Sequence, residues 1–397
     1  MVETAVHTAG SGEVIAVDPC RRPIHVVHVV RRGKADGGME NGIVNVTNRL
    51  PAAGFRVSIC ALDSTQTFSS RIHRPDSEYF LLPKQGRGIN WSLIPKLAQL
   101  LRRRHADLVH SHNWGTFLYA VLAARLARVP IIHGEHGKNL GEVDGDSTLK
   151  RMTKLFLGRR VNRVVTVSQA LAAEWAGYGV PRAKIQCIPN GVDTGRFRPR
   201  SDAVRCRRNF GLPETGFLVG SIGRLDELKN YEVLVSALAQ LAGKCPEMRV
   251  ALLGEGPRKP MLQSQAEELG IRDRVYLLGH RPNPEEFLSA LDVFALPSKS
   301  EGMSNVVLEA MAAGLPLVCA DLPSHHEIFD PGQEGETVGP CTPDTLAEVL
   351  ASLYRQPERR QALGCAARAK ALARFDITRM VAAYQQLYAE HALPSRH

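Results

Sequence analysis

Two glutamates, Glu301 and Glu309, stand eight positions apart in the stretch SEGMSNVVLEA, with the turn-forming Gly302-Met303-Ser304 directly after the first. The longer segment DVFALPSKSEGMSNVVLEAMAAGLPLVCAD reads strand, loop, helix, strand. Glu301 then falls in a loop at a strand's carboxyl end, Ser304 at a helix N-cap, and Asn305–Ala312 on the helix. The N–H groups of Met303, Ser304, Asn305 and Val306 would be open to an anion or a sugar. Glu309 interrupts the apolar run NVVLEAMAAG. A carboxylate there needs a polar partner, and ribose hydroxyls would serve. A solvated helical glutamate behind an N-terminal one is the competing reading.

A second cluster lies in GRLDELKN (Gly223–Asn230), straight after a strand. Arg224 offers a bidentate fork and Lys229 a point charge, a pairing suited to a diphosphate; a solvated charged loop competes. In RRGKADGGME, Gly37 and Gly38 can bring backbone N–H groups close to an anion at a helix N-terminus. Here the competing reading is a tight strand-to-helix turn, with Glu40 favouring the helix dipole. The spacing is not G-x-G-x-x-G, and the second strand ends with only Asp63 nearby, so the dinucleotide fingerprint is missing. LLGEGP (Leu252–Pro257) is another glycine-containing strand-to-helix turn, and IPNGVD (Ile188–Asp193) reads as a structural turn.

The elements that must carry these groups alternate. IHVVHVV (Ile24–Val30), RVSICAL (Arg56–Leu62), DLVHSH (Asp107–His112), PIIHGEH (Pro130–His136) and RVVTVS (Arg163–Ser168) read as buried strands. Helical patterns lie between them, at Gly38–Leu50, Ser92–His105, Gly115–Ala127 and Ser147–Arg160. The pattern restarts beyond the turn-rich PNGVDTGRFRP (Pro189–Pro199), with strands at Phe217–Gly223, Arg249–Gly254, Arg274–Gly279, Asp292–Pro297 and Pro316–Ala320. Continuous apolar strands alternating with helices predict parallel sheets covered on both faces. A chain of 397 residues makes two such domains, of roughly 200 residues each. Ligands of such sheets sit outside the strands' carboxyl ends, so a cleft between the two domains is the expected site.

Charge divides the halves. Residues 1–198 hold 28 Lys+Arg against 15 Asp+Glu, or +13; residues 199–397 hold 22 against 25, or −3. The first half therefore expects an anionic partner. Eight scattered cysteines without a Cys-x-x-Cys pair indicate reduced, mostly buried thiols in a cytosolic protein rather than a zinc site or disulfide scaffold. No apolar run is long enough to span a membrane. The N-terminus lacks the basic-then-apolar order of a signal peptide, and residues 1–20 read as a flexible tail.

In their order and spacing these pieces resemble the retaining glycosyltransferases of family 4, with the GT-B fold. The matching residues are Gly37-Gly38-Met39-Glu40, HGEHG (His133–Gly137), PNGVD, Arg224 with Lys229, GEGP, and Glu301 with Glu309 followed by AMAAGLPLV. The resemblance covers roughly residues 24–390, nearly the whole chain. GGMENGIVN, RIHRPD and IHGEHG look further like a bacterial subgroup encoded with exopolysaccharide and exosortase systems. Beyond the tail at 1–20, the resemblance implies an acceptor-side Rossmann-like domain at 21–195, a Rossmann-like nucleotide-sugar domain at 196–374, and a C-terminal helix at 375–397 crossing back to the first domain.

It also implies roles. Glu301 and the backbone at Gly302, Met303 and Ser304 hold the sugar hydroxyls of a UDP- or GDP-sugar, with Asn305 in the same helix-start loop. Glu309 takes the ribose. Arg224 and Lys229 hold the diphosphate and stabilise it as it leaves, aided by backbone at Gly37 and Gly38. His136 matches the family histidine facing the reacting sugar; a loop histidine satisfied by backbone is the competing reading. The family usually has Glu-Gly-Phe-Gly where this chain has Glu301-Gly302-Met303-Ser304, so the larger Ser304 and the changed residue 303 are expected to narrow the sugar end. Neither metal nor cofactor is expected.

The acid-free stretch Ser147–Val165 carries Lys150, Arg151, Lys154, Arg159, Arg160 and Arg163, with Leu149, Met152 and Phe156 on one helical face. It reads as a helix drawn to an anionic membrane surface, or as a solvated basic face over an ordinary core. A glycan or lipid-linked acceptor is expected, in the cytoplasm or at the inner face of the plasma membrane. An oxidoreductase would need the missing fingerprint. A nucleic-acid binder would need more stacking aromatics than 6% and a recognition motif. A sugar phosphorylase on the same fold would be far longer and use pyridoxal phosphate.

Overall fold

The computed structural model describes residues 22–32, 38–64, 71–84, 88–137, 146–199 and 202–393. The tail at 1–20 and Gly37 lie outside the described residues.

The first sheet holds β1 (Ile24–Arg32), β2 (Phe55–Ser64), β3 (Glu78–Leu81), β4 (Leu108–His112), β5 (Ile131–Glu135), β6 (Arg163–Thr166) and β7 (Ile185–Cys187), in the order β3-β2-β1-β4-β5-β6-β7. The second holds β8 (Phe217–Ile222), β9 (Met248–Leu253), β10 (Val275–Gly279), β11 (Val293–Leu296), β12 (Leu317–Ala320) and β13 (Gly335–Val338), in the order β10-β9-β8-β11-β12-β13. Neighbouring strands pair parallel throughout. Val26, Val27, Val29 and Val30 of β1 are all buried, as a strand covered on both faces requires. β3, β7 and β13 escape the sequence reading because they are sheet edges of three or four residues, half covered, without a run of β-branched side chains.

Strand order reverses direction at β1/β4 in one sheet and at β8/β11 in the other. Each reversal opens a crevice at the strands' carboxyl ends. The segment Asn190–Asp193 joins the two domains. Val192 N–H donates to the Phe375 carbonyl (2.8 Å) and the Val192 carbonyl accepts from Ile377 (2.9 Å). The helix Ile377–His391 then lies on the first domain. Its Met380, Tyr384, Leu387 and Tyr388 share one buried cluster with Val26, Val46, Phe55 and Leu108. Each such side chain contributes about 1.5–3 kcal/mol by leaving water.

The basic stretch forms the helix Thr148–Gly158, capped by Ser147 Oγ. Leu149, Met152 and Phe156 are 77%, 63% and 54% exposed, so this face does not cover a core. The expectation of six surface cations needs correction. Lys150 and Lys154 turn inward onto Asp146, at 2.6 and 2.8 Å, because residue 146 supplies the acid that the stretch itself lacks. Arg163 donates to the Ala183 carbonyl. The cations beside the apolar face are Arg151, Arg159 and Arg160, the last stacked on the Phe156 ring at 3.3 Å. Among the described residues, no helix is long and apolar enough to cross a membrane.

Candidate active site

An open cleft of about 1600 Å³ lies between the two domains. The loops after β1, β4 and β5 form one wall, and those after β8, β9, β10 and β11 the other. Of the residues singled out from sequence, Gly38, His136, Arg224, Lys229, Glu301, Gly302, Met303, Ser304, Asn305 and Glu309 all line it.

On the second wall Lys229 and Glu301 are bound to each other. Lys229 Nζ donates to Glu301 Oε1 at 2.6 Å, and Ser298 Oγ donates to the same oxygen at 2.8 Å. Burial alone would raise the Glu301 carboxyl, but the Lys229 ammonium and the Ser298 hydroxyl hold it below the usual range. Burial would likewise lower Lys229, and Glu301 holds it above its ordinary value. The pair is therefore fully ionised at neutral pH. Arg224 stands apart, 60% exposed, with Nε 3.8 Å from Asp226. Its loop is buttressed by GEGP: Leu225 N–H donates to the Glu255 carbonyl at 3.0 Å. Gly254 has φ +149°, and a Cβ there would meet the Gly223 carbonyl oxygen at 2.0 Å, so only glycine lets the two loops touch.

The walls touch at Asn305 and at Gly302. Asn305 Nδ2 donates across the cleft to the Gly38 carbonyl at 3.0 Å. Gly302 packs on the backbone of His136 and Gly137, where a Cβ would lie 2.4 Å from the His136 carbonyl oxygen. Residue 302 must be glycine for the glutamate loop to approach the histidine loop. Met303 corrects an expectation: it does not narrow the sugar end. Its side chain is buried in the second domain's core, its Sδ accepts from Asn190 N–H at 3.2 Å, and its carbonyl accepts from Asn190 Nδ2 at 3.1 Å. A thioether is long enough to reach the interdomain segment and soft enough to accept from it.

Ser304 occupies the N-cap of the helix Asn305–Ala312, but its buried Oγ makes no cap bond. The first-turn N–H groups, which no helical carbonyl can satisfy, are thus not consumed by the cap. Glu309 is half-buried in this helix, and burial pushes its carboxyl up to about 7. Among the described residues its carboxylate has no hydrogen-bond or ion-pair partner, and the charges acting on it are those of Arg196, Glu285 and Arg71.

The first wall holds groups that sequence reasoning missed. His28 of β1 and His110 and His112 of β4 cluster beneath His136. His28 Nδ1 lies 2.8 Å from His112 Nε2, and His112 Nδ1 lies 3.0 Å from His136 Nε2. His110 Nδ1 pairs with Tyr388 Oη at 2.9 Å. Burial drives His28 down to about 3 and His136 to about 4, and drives His110 and His112 well below the usual value, so all four rings are neutral at pH 7. The signal was present: His110 and His112 are two apart on one strand and so share a face. Ring nitrogens of His28, His110 and His112 come within 4.8 Å of one another, close enough to hold a metal ion, although both nitrogens of His112 are already engaged.

The comparisons agree with this architecture. Residues 36–196 match Glycosyltransferase Family 4, and residues 205–370 match Glycosyl transferases group 1. D-inositol 3-phosphate glycosyltransferase of Corynebacterium jeikeium is 33% identical over 304 residues, 72% of this chain and 72% of that one. Its namesake in Segniliparus rotundus is 30% identical over 275 residues, 66% of this chain and 61% of that one. Among solved structures, Anabaena Alr3699/HepE in complex with UDP-glucose superposes with a TM-score of 0.80 at 23% identity, covering 92% of this chain and 98% of that one. WaaG, a glycosyltransferase involved in lipopolysaccharide biosynthesis, superposes with a TM-score of 0.73 at 19% identity, covering 91% and 99%. With its two parallel-sheet domains facing one cleft, the chain belongs to the family 4 glycosyltransferases and has the GT-B fold.

Proposed function

We propose that this glycosyltransferase takes a hexose from a UDP-sugar and passes it, with retention of anomeric configuration, to a glycan or lipid-linked acceptor on the first domain during exopolysaccharide or other cell-surface glycan synthesis. The observation that carries the donor half is the ion pair Lys229–Glu301, set where the glutamate loop abuts the histidine loop. Breaking the anomeric bond leaves negative charge on the diphosphate and positive character on the sugar. Arg224 and Lys229 offset the first, and the Glu301 carboxylate orients the sugar through its hydroxyls. Glu309 accepts from the ribose. The UDP-glucose complex of HepE supports uridine as the base. Arg224 and Lys229 meet the charge on the diphosphate, so turnover should survive chelation. Incubation with UDP-glucose, UDP-galactose and GDP-mannose, with and without chelator, tests donor and metal together; the anomeric coupling in the product tests retention.

On the acceptor side, RIHRPD is tied to the helix Gly38–Arg49: Arg71 Nη1 donates to Asn41 Oδ1 at 2.7 Å, and Asn48 Nδ2 donates to the Arg71 carbonyl at 2.9 Å. The two segments act as one wall. The exposed Leu149, Met152 and Phe156 beside Arg151, Arg159 and Arg160 favour docking on an anionic leaflet. A second reading follows from the relatives named for D-inositol 3-phosphate: Arg31 and Arg71 on the first wall would suit a small phosphorylated polyol. Transfer to such a polyol in detergent-free solution would select it.

A further inference from the structure

We propose that His112 and His28 are positioning residues that fix which nitrogen of His136 carries its proton, so that His136 presents Nδ1–H to the cleft. The proposal rests on His136 facing the donor sugar and extends that reading to two side chains behind it.

The argument starts from connectivity. His28 Nδ1, His112 Nε2, His112 Nδ1 and His136 Nε2 form a chain of two hydrogen bonds, 2.8 and 3.0 Å long, running from β1 through β4 to the loop after β5. A neutral imidazole carries one N–H and one bare nitrogen. The two bonds must therefore run in the same direction. In one direction His28 Nδ1–H donates to His112, His112 Nδ1–H donates to His136 Nε2, and the proton of His136 sits on Nδ1. In the other direction every proton moves to the opposite nitrogen, and His28 Nε2 becomes an N–H.

The far end decides between them. His28 Nε2 is buried and has no partner. A bare nitrogen there forfeits one acceptor bond, whereas an N–H would be a stranded buried donor, the rarer outcome in folded proteins. The chain therefore runs outward, and His136 Nδ1, which has no partner among the described residues, is its donor end. The rings are held in reach of one another by Gly134, since a Cβ at that position would lie 3.0 Å from His136 Nε2 and 3.3 Å from His112 Nδ1. His136 is further fixed by its backbone N–H donating to Asn113 Oδ1 at 3.0 Å.

The test uses the full chain labelled with [15N]histidine, with the His136 signals assigned by their loss in His136→Gln. Long-range 15N–1H spectra at pH 7.5 should show the His136 proton on Nδ1. His112→Leu should move it to Nε2 and lower kcat about tenfold, the scale of one neutral hydrogen bond, with KM for the UDP-sugar little changed. His112→Gln, whose amide can still donate to His136 Nε2, should restore both readouts. Gly134→Ala should reproduce His112→Leu without altering any imidazole. Three results would overturn the proposal: a wild-type proton on Nε2, a lower kcat in His112→Leu with the His136 tautomer unmoved, or a stoichiometric metal ion bound by the His28, His110 and His112 rings in the isolated protein. If His136→Gln turns over like the wild type while the tautomer is as stated, the role of His136 toward the sugar falls, and the control of its proton by His112 stands.

Discussion

Lys229 Nζ and Glu301 Oε1 are 2.6 Å apart, which joins the residue assigned to the diphosphate directly to the residue assigned to the sugar. Both side chains are largely withdrawn from solvent, at 19% and 13% exposure. Removing either one leaves the other charge uncompensated, at a cost of about 2–5 kcal/mol.

The pair therefore predicts strong non-additivity. Lys229→Ala and Glu301→Gln should each lower kcat/KM by two to three orders of magnitude, roughly the range just given. The double variant should be little worse than the poorer single one. Double-mutant kinetics check this, and additive losses would mean that the two side chains act independently in the bound state.

Glu309 predicts a pH dependence of donor binding. Its carboxyl is pushed up to about 7 by burial, so in the empty cleft it is largely protonated at pH 6 and largely ionised at pH 8. If the ionised form accepts from ribose, affinity for UDP-glucose should rise between pH 6 and 8. Glu309→Gln should flatten that rise and weaken binding more than turnover. Calorimetry at the two pH values measures both.

The buried histidines predict acid lability. Their folded values lie below the ordinary 6.5, near 4 for His136 and near 3 for His28. Between those limits the unfolded chain binds more protons, so stability is present above pH 6.5 and lost as pH falls. Each ring contributes on the order of 1–3 kcal/mol. Urea unfolding at pH 7.5 and pH 5 should show the loss, and equal midpoints would count against neutral rings.

Membrane docking predicts salt sensitivity. The exposed Arg151 and Arg159 and the half-buried Arg160 give up to about 3 kcal/mol at an anionic leaflet, at roughly 1 kcal/mol each, and Leu149, Met152 and Phe156 add apolar insertion. The protein should float with anionic vesicles at low salt and be released as salt screens the charges. Replacing the three apolar residues with Ser should prevent flotation. Failure to float at low salt would favour a soluble acceptor.

Much of the architecture was legible because a parallel sheet covered on both faces writes itself as continuous apolar strands, as in IHVVHVV and DVFALP. The N-cap at Ser304 and the isolation of Glu309 followed from local pattern. What stayed hidden depends on distance across the chain. Nothing in GRLDELKN announces that Lys229 meets a carboxylate 72 residues away. Met303 reads as a side chain that narrows the cleft until its thioether is seen to accept from the interdomain segment. Lys150 and Lys154 read as surface cations until Asp146 is folded beneath them. The histidine chain joins two strands and the loop after a third, and only strand order brings its members together.

The central claim is that the cleft binds a uridine nucleotide-sugar through Arg224 and the Lys229–Glu301 pair. Titrating UDP into the wild-type chain and into Arg224→Ala by calorimetry tests it most directly. The account predicts one UDP per chain and at least about a tenfold weaker affinity in Arg224→Ala, as expected for losing a charge-assisted bidentate contact. No binding of UDP to the wild type, or equal affinity in the two proteins, would contradict it.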